Sequence, residues 1–228
     1  MDTKRKKQLI SHLSECITEE RLELLNHNLK QRTNHLVIVL EDIFHSQNAS
    51  AVLRTADCFG VQNIHIIENR NNYNIHPNIS LGSGKWLTQT FYNKKKNNTE
   101  NCLKNLKKDG YRNIATSPHK TKSIHDIDIK KGKIALLFGA EQEGLSPLAL
   151  EMADEKVKIP MYGFTESYNI SVAAALCMQA IISKIREYDI AWQLSEKEKD
   201  EVMLNWLRSS VKESELIEKR FIQEIVIS

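Results

Sequence analysis

His35-Leu-Val-Ile-Val-Leu-Glu41, followed by Asp-Ile-Phe-His-Ser-Gln and then by Asn48-Ala-Ser-Ala-Val-Leu-Arg54-Thr-Ala-Asp-Cys-Phe-Gly60, decides the fold class. The first run is short, apolar and β-branched, the chemistry of a strand buried on both faces. The second places small and apolar residues at helical spacing and stops at a glycine, which predicts a helix over 49–59. Strand chemistry resumes over 61–68, with weaker extended signals at 87–92 and 112–116. Between these lies a helical segment, 99–108, ended by Gly110. Ile134-Ala-Leu-Leu-Phe138 reads as another buried strand, then come a short helix from Pro147 and a strand over 155–159. A long helix capped by Asn169 or Ser171 runs to about Tyr188. Strand and helix alternating in this way predict an α/β fold with a parallel sheet.

Outside that core the pattern turns helical. Residues 4–32 read as helix, with Thr18 as an N-cap ahead of Glu19 and Glu20 and a stripe of Leu22, Leu25 and Leu29. At the other end, 195–208 opens on a capping box of Ser195 and Glu198, and a second amphipathic segment covers 211–222. Their stripes, Val202, Leu204, Trp206 and Leu207, then Leu216, Ile217 and Phe221, need a surface to bury them. The predicted organisation is a basic helical arm over 1–33, an α/β core over 34–190 and a helical extension over 191–228.

With 228 residues the chain has room for one full core plus appendages. Hydrophobic residues at 41% and charged residues at 27% exclude disordered and low-complexity classes. The longest apolar run, Val172 to Met178, is seven residues, far short of the roughly 20 that cross a bilayer, and Met1 to Lys7 leads into no signal core. No membrane association and a cytoplasmic location are therefore expected. Cys16, Cys58, Cys102 and Cys177 form no CxxC pair, so reduced, buried thiols are expected, and the scattered histidines match no metal pattern, so no metal is expected. A net charge of +3 conceals an asymmetry, because 94–122 carries nine Lys and Arg against Glu100 and Asp109. Such a run suits a polyanion, since phosphate contacts release counterions, and read by itself it equally suits a solvated surface.

Three segments put small, polar or glycine residues where strands end, the place where open α/β sheets bind ligands. Asn48 to Gly60 carries Asn48, Arg54 and Asp57; it also fits a structural role, with Asn48 as helix cap and Arg54 paired with Asp57. Gly139-Ala-Glu141-Gln-Glu143-Gly144 has neither GxGxxG nor P-loop spacing, leaving a backbone that can approach a ligand closely beside an acid. Ile159-Pro-Met161-Tyr-Gly-Phe-Thr-Glu-Ser167-Tyr168-Asn169-Ile-Ser-Val-Ala-Ala-Ala175 is a loop of uncapped amides running into a helix of small residues.

In order, these segments resemble the motifs of the SpoU, or TrmH, branch of the SPOUT superfamily of RNA 2′-O-methyltransferases. Gly82-Ser83-Gly84-Lys85-Trp86 and the terminal helices resemble its tRNA-type members, and the ribosomal RNA enzymes, which usually carry a separate N-terminal domain, are the alternative. The resemblance implies a Rossmann-like parallel sheet with a deep C-terminal trefoil knot across about 134–190. It implies S-adenosyl-L-methionine as cofactor, a homodimer, and methylation of a guanosine ribose in tRNA, the D-loop guanosine called guanosine-18. A non-catalytic RNA-binding protein is the alternative from another class. Arg54 is implied to activate the 2′-hydroxyl, as base or as a cation lowering its pKa, with Asn48 and Glu141 orienting it or the ribose. Ser167 and Asn169 are implied to position the reacting groups. Thr116, Gly139, Ile159, Met161 and Tyr168 would line the cofactor pocket. Lys4, Arg5, Lys6, Lys7, Lys85, Lys94, Lys95 and Lys96 are the candidate RNA contacts. The sequence departs from the family pattern at Tyr168, where Leu is more usual, and at Gln47, where tRNA-type members often have His.

Overall fold

The structure is a computed structural model that describes residues 1–71, 82–118 and 122–227. It divides into two compact units, Thr33–Trp192 and a second made of Met1–Arg32 with Gln193–Ser228.

The larger unit is built on six strands, β1 (Leu36–Glu41), β2 (Asn63–Ile67), β3 (Thr88–Tyr92), β4 (Tyr111–Thr116), β5 (Lys133–Phe138) and β6 (Glu155–Val157). They pair in the order β3-β2-β1-β5-β4-β6, and every pairing is parallel. β1 is buried along its whole length because it has a strand on each side and helices on both faces. Side chains alternate between those faces. Leu36, Ile38 and Leu40, with Ile64, Leu136 and Phe138, pack on α3 (Ser46–Cys58) and α6 (Ile170–Glu187). Val37, Val39, Ala135 and Leu137 face α4 (Asn98–Lys108) and α5 (Pro147–Met152) instead.

From β1 the chain turns outward to β2, whereas β5 takes the place on its other side, so the strand order reverses between these two. Open parallel sheets bind ligands outside the carboxyl ends of the strands at such a reversal. β6 stops at Val157, short of the expected 159, because Lys158 leaves it to pair with 122–124: its N–H donates to the Lys122 carbonyl and its carbonyl accepts from Ile124, both at 2.8 Å. Asn169, with its side chain accepting the Ser171 N–H, caps α6.

The smaller unit contains α1 (Thr3–Ser14), α2 (Glu19–Lys30), α7 (Glu196–Ser210) and α8 (Ser214–Ile227). The helical stretch expected over 4–32 is made of two helices, with Thr18 capping α2 in an extended conformation as its reading as an N-cap implies. The capping box of Ser195 and Glu198 forms as expected. Leu9 and Leu13 of α1 and Leu25 and Leu29 of α2 are buried with Val202, Trp206 and Leu207 of α7, so the apolar stripes at the two ends of the sequence cover one another. The Arg32 guanidinium lies 5.1 Å over the Trp206 ring, and His12 stacks on Phe221.

Two cysteines correct the expectation of burial. Cys102 and Cys177 are buried, but Cys16, in the α1–α2 turn, and Cys58, on the outward face of the last turn of α3, are exposed. Among the described residues no helix is long and apolar enough to cross a membrane, and no group of three or more His, Cys, Asp or Glu is placed to hold a metal ion.

Candidate active site

The loops that leave β4, β5 and β6 and the start of α6 enclose a cavity of about 280 Å³. Thr116, Gly139, Ile159, Met161 and Tyr168, the residues expected at a cofactor, all line it, together with Glu141, Ser167 and Asn169. Its walls are mostly apolar, with Phe138, Leu145, Val157 and Ile170 among them. The Thr116 hydroxyl donates to the Leu137 carbonyl at 2.7 Å. Such a lining, apolar with a few convergent polar groups, is typical of small-molecule sites.

Gly139 is at the tightest point. A Cβ there would overlap the Gly144 carbonyl and the Leu145 amide, so only glycine lets the loop fold back on itself. The Gly144 N–H donates to the Ala140 carbonyl at 2.8 Å and closes the turn, with Gly144 at φ +70. Ser146 ends the loop by capping α5, and its N–H and hydroxyl both donate to the buried Glu41 carboxylate at 2.8 Å. Thr99 of α4 donates to the same carboxylate at 2.6 Å. Glu41 is not among the residues expected at the site, although an acid closing an otherwise apolar strand is a usable signal.

Asn48 does not line the cavity, yet it joins the segments that do. Its Nδ2 donates to Glu141 Oε1 at 2.8 Å, and its Oδ1 accepts from Asn169 Nδ2 at 3.1 Å. Asn169 in turn accepts from the Ser171 N–H at 2.8 Å and hydroxyl at 2.6 Å. The helix cap of α3 is His45, so Asn48, in the first turn, is free for this bridge. Glu141 also accepts the N–H groups of Phe44 and His45, each at 3.2 Å. Burial pushes the Glu141 carboxyl up, but the bonds from Asn48 and these amides outweigh it and hold it below the usual carboxylate value.

Arg54 lies outside this network. It is exposed on α3, nearly two turns beyond Asn48, and is not among the cavity's lining residues. Cys177, expected only as a buried thiol, does line the cavity; burial pushes its thiol up to about 12, so it stays protonated and is no nucleophile at neutral pH.

The basic candidates divide. Lys6 donates to Glu201 at 2.9 Å and Arg5 sits 3.6 Å from Asp2, whereas Lys4 and Lys7 are exposed. The Lys85 ammonium lies 4.6 Å over the Trp86 ring, and Lys94, Lys95 and Lys96 form the exposed approach to α4, with Lys95 Nζ on Asn101 at 3.0 Å. Further along the basic stretch, Lys104 pairs with Glu100, Lys107 with Asp154, and both Arg112 and Lys122 with Glu155. Lys120 lies outside the described residues.

Against this geometry, the sequence model of the SpoU rRNA Methylase family matches residues 35–179, from the first strand through most of α6. The chain belongs to the SpoU methylase family. Relatives extend the match beyond that core. A Borreliella burgdorferi protein named tRNA (guanosine(18)-2′-O)-methyltransferase is 43% identical over 92% of this chain and 94% of its own length. One of the same name from Thermus thermophilus is 33% identical over 84% of this chain and 97% of its own. The crystal structure of the A. aeolicus TrmH/SpoU tRNA modifying enzyme superposes with a TM-score of 0.75 and 28% identity, covering 86% of this chain and 98% of that one. The SpoU methylase match thus includes the two segments that line the cavity and the Asn48 segment that bridges them.

Proposed function

We propose that this chain transfers a methyl group from S-adenosyl-L-methionine to the ribose 2′-oxygen of a guanosine in tRNA, guanosine-18 of the D-loop. The observation that carries the reading is the 43% identity, over nearly the whole of both chains, to a protein named for that reaction. The cavity fits the cofactor. Its apolar walls suit a thioether and an adenine, and the two glycines of the 139–144 turn let backbone amides and carbonyls approach where side chains would intrude. Thr116, Gly139, Ile159, Met161 and Tyr168 would hold it. S-adenosyl-L-methionine supplies an activated methyl group whose transfer discharges a sulfonium.

The chain's own residues must orient the ribose, exclude water and make a weakly acidic hydroxyl nucleophilic. Glu141, fixed by Asn48 and by two amides, keeps a charged carboxylate at the cavity wall, where it accepts a bond from a ribose hydroxyl and sets its orientation. Ser167 and Asn169 border the same space. Arg54 acts on the 2′-hydroxyl as a cation that favours the alkoxide, since a guanidinium holds its proton too tightly to serve easily as a base.

A homodimer accounts for the position of Arg54, because an exposed arginine that does not line its own cavity can serve that of a second copy. The exposed Val172 and Leu176 on α6 and the exposed Tyr162 and Phe164 before it support such a contact. A trefoil knot across about 134–190 is supported by the closeness of the backbone at Gly139 and by the pairing of Lys158 with 122–124. In sequence the arm, 1–33, precedes the methyltransferase core, 34–190, and the extension, 191–228, follows it; Lys4 to Lys7, Lys85 and Lys94 to Lys96 are the RNA contacts of a cytoplasmic enzyme that needs no metal.

The test is transfer of labelled methyl from S-adenosyl-L-methionine to unmodified tRNA and to ribosomal RNA, followed by mapping. Label at the D-loop guanosine is expected. Label confined to ribosomal RNA would keep the chemistry and replace the substrate, and no label in either would overturn the reading.

A further inference from the structure

Beside the first cavity, and sharing Ala140 and Glu141 as its wall, lies a second of about 390 Å³. Its chemistry is different. It is bordered by Phe44 and His45 and by Arg70, Asn71, Gln142 and Glu143. Phe44 is 67% exposed, an unusual state for a large apolar ring at the end of a buried strand, and it meets the His45 ring edge-on at 4.9 Å. The amides of both residues are pinned to Glu141, so the ring is displayed from a fixed backbone.

Arg70 is held in place as well. Asp42 holds a left-handed conformation, φ +53, at the end of β1, and its carboxylate accepts the N–H groups of Asn69 at 2.7 Å and Arg70 at 2.9 Å. The Arg70 Nε lies 3.7 Å from Asp42, and its terminal nitrogen pairs with Glu143. That last pair is open to solvent, with side chains 56% and 61% exposed. An ion pair in water contributes little, so either partner can exchange the other for a ligand at small cost.

Building on the function proposed above, we infer that this second cavity takes the guanine base of the target nucleotide, stacked on Phe44 and read by Glu143 and Arg70. The position follows from connectivity, since a ribose oriented at Glu141 carries its base into the adjoining space. The reading follows from hydrogen-bonding sense. Guanine presents N1–H and an amino group side by side as donors, which one carboxylate accepts together, and O6 and N7 as acceptors, which suit a guanidinium. Adenine would set the bare N1 lone pair against Glu143. An unstacked base held on an aromatic face and bonded along its edge is the usual way proteins read a flipped or single-stranded nucleotide.

The experiment uses the full chain and full-length tRNA transcripts carrying guanosine or inosine at the methylated position, inosine lacking only the 2-amino group. Wild type should favour guanosine about ten-fold in kcat/KM, a typical cost of removing one base-edge hydrogen bond. Glu143→Gln, left with a single acceptor, should lower guanosine turnover and bring the preference close to one. Phe44→Ala should lower kcat/KM about ten-fold for both transcripts alike, with Phe44→Tyr restoring it and cofactor affinity unchanged in all three variants. Equal use of both transcripts by wild type, or variants that match an active wild type, would overturn the base pocket and leave the methyltransferase reading standing. A wild type that binds cofactor and methylates neither transcript would overturn both.

Discussion

The turn at the end of β5 and the basic stretch from Lys94 to Lys122 are both conspicuous in the sequence, and the structure treats them oppositely. At the turn, residues from β1, α3 and α6 converge, and Glu141 and Asn48 find partners 93 and 121 positions away in the chain. These residues are drawn together because Gly139 lets the backbone close on itself and Glu141 accepts from Asn48 and from the amides of Phe44 and His45. In the basic stretch, four of the eight described cations are paired, Lys104 locally and Lys107, Arg112 and Lys122 with Asp154 or Glu155, well beyond it in sequence. A count of charges along a chain cannot see a partner that arrives through folding. The free cationic surface is therefore smaller than the sequence suggests, and the site is more tightly bound together.

The sharpest way to break this contrast is Arg54→Ala. Arg54 belongs to the site by motif but to none of its bonds, so its removal should leave cofactor affinity and thermal midpoint near wild type. Turnover should fall by about 10²- to 10⁴-fold, the range for loss of a group acting on a proton in the transition state. Single-turnover rates beside a calorimetric cofactor titration check this. A loss of affinity as large as the loss of rate would mean that Arg54 supports the cavity and does not act on the hydroxyl.

Acid should next sharpen the account of the strand ends. Burial pushes the Asp42 carboxyl up, but amides of Arg70 and Asn69 more than offset it, so its folded pKa lies below the ordinary 3.8. A group depressed in this sense contributes stability that is complete above the unfolded value and fades as pH falls through the folded one. Asp42→Asn, which tolerates the left-handed backbone, should therefore be less stable than wild type at neutral pH. The gap should close below about pH 4. Denaturant midpoints measured across that range decide it, and a gap independent of pH would show that Asp42 acts through shape alone.

The legible and illegible parts of the molecule separate on physical grounds. The parallel sheet can be read because strands buried on both faces must be continuously apolar, as Leu36–Glu41 and Lys133–Phe138 nearly are. Thr116, Gly139, Ile159, Met161 and Tyr168 are legible as pocket candidates only through the family resemblance, since the spacing of Gly139 and Gly144 by itself offers no more than a backbone that can approach a ligand closely. Thr18 is legible as a cap, and because any helix before a cap must stop, the helical stretch over 4–32 forms as two helices. The mutual burial of the two terminal segments is invisible in sequence, because an amphipathic stripe states that it needs a partner and not which one. The roles of Glu41 and Asp42 escape a reading of the sequence, since an acid closing an apolar strand does not name its partners, and only the fold brings Ser146, Thr99 and Asn69 to them.

The smallest effect tests the other half of the comparison. If exposed cations carry RNA affinity and paired ones do not, Lys94→Ala with Lys96→Ala should flatten the dependence of tRNA affinity on salt. The slope of log affinity against log salt should fall by about 0.7 to 0.9 for each phosphate that is no longer neutralised. Lys107→Ala, whose ammonium is already 2.8 Å from Asp154, should leave that slope near its wild-type value. Affinities measured by filter binding at several salt concentrations distinguish the two. Equal flattening by both changes would mean that tRNA competes successfully with Asp154 for Lys107, and that the charge counted along the sequence, not the pairing made by the fold, sets the RNA surface.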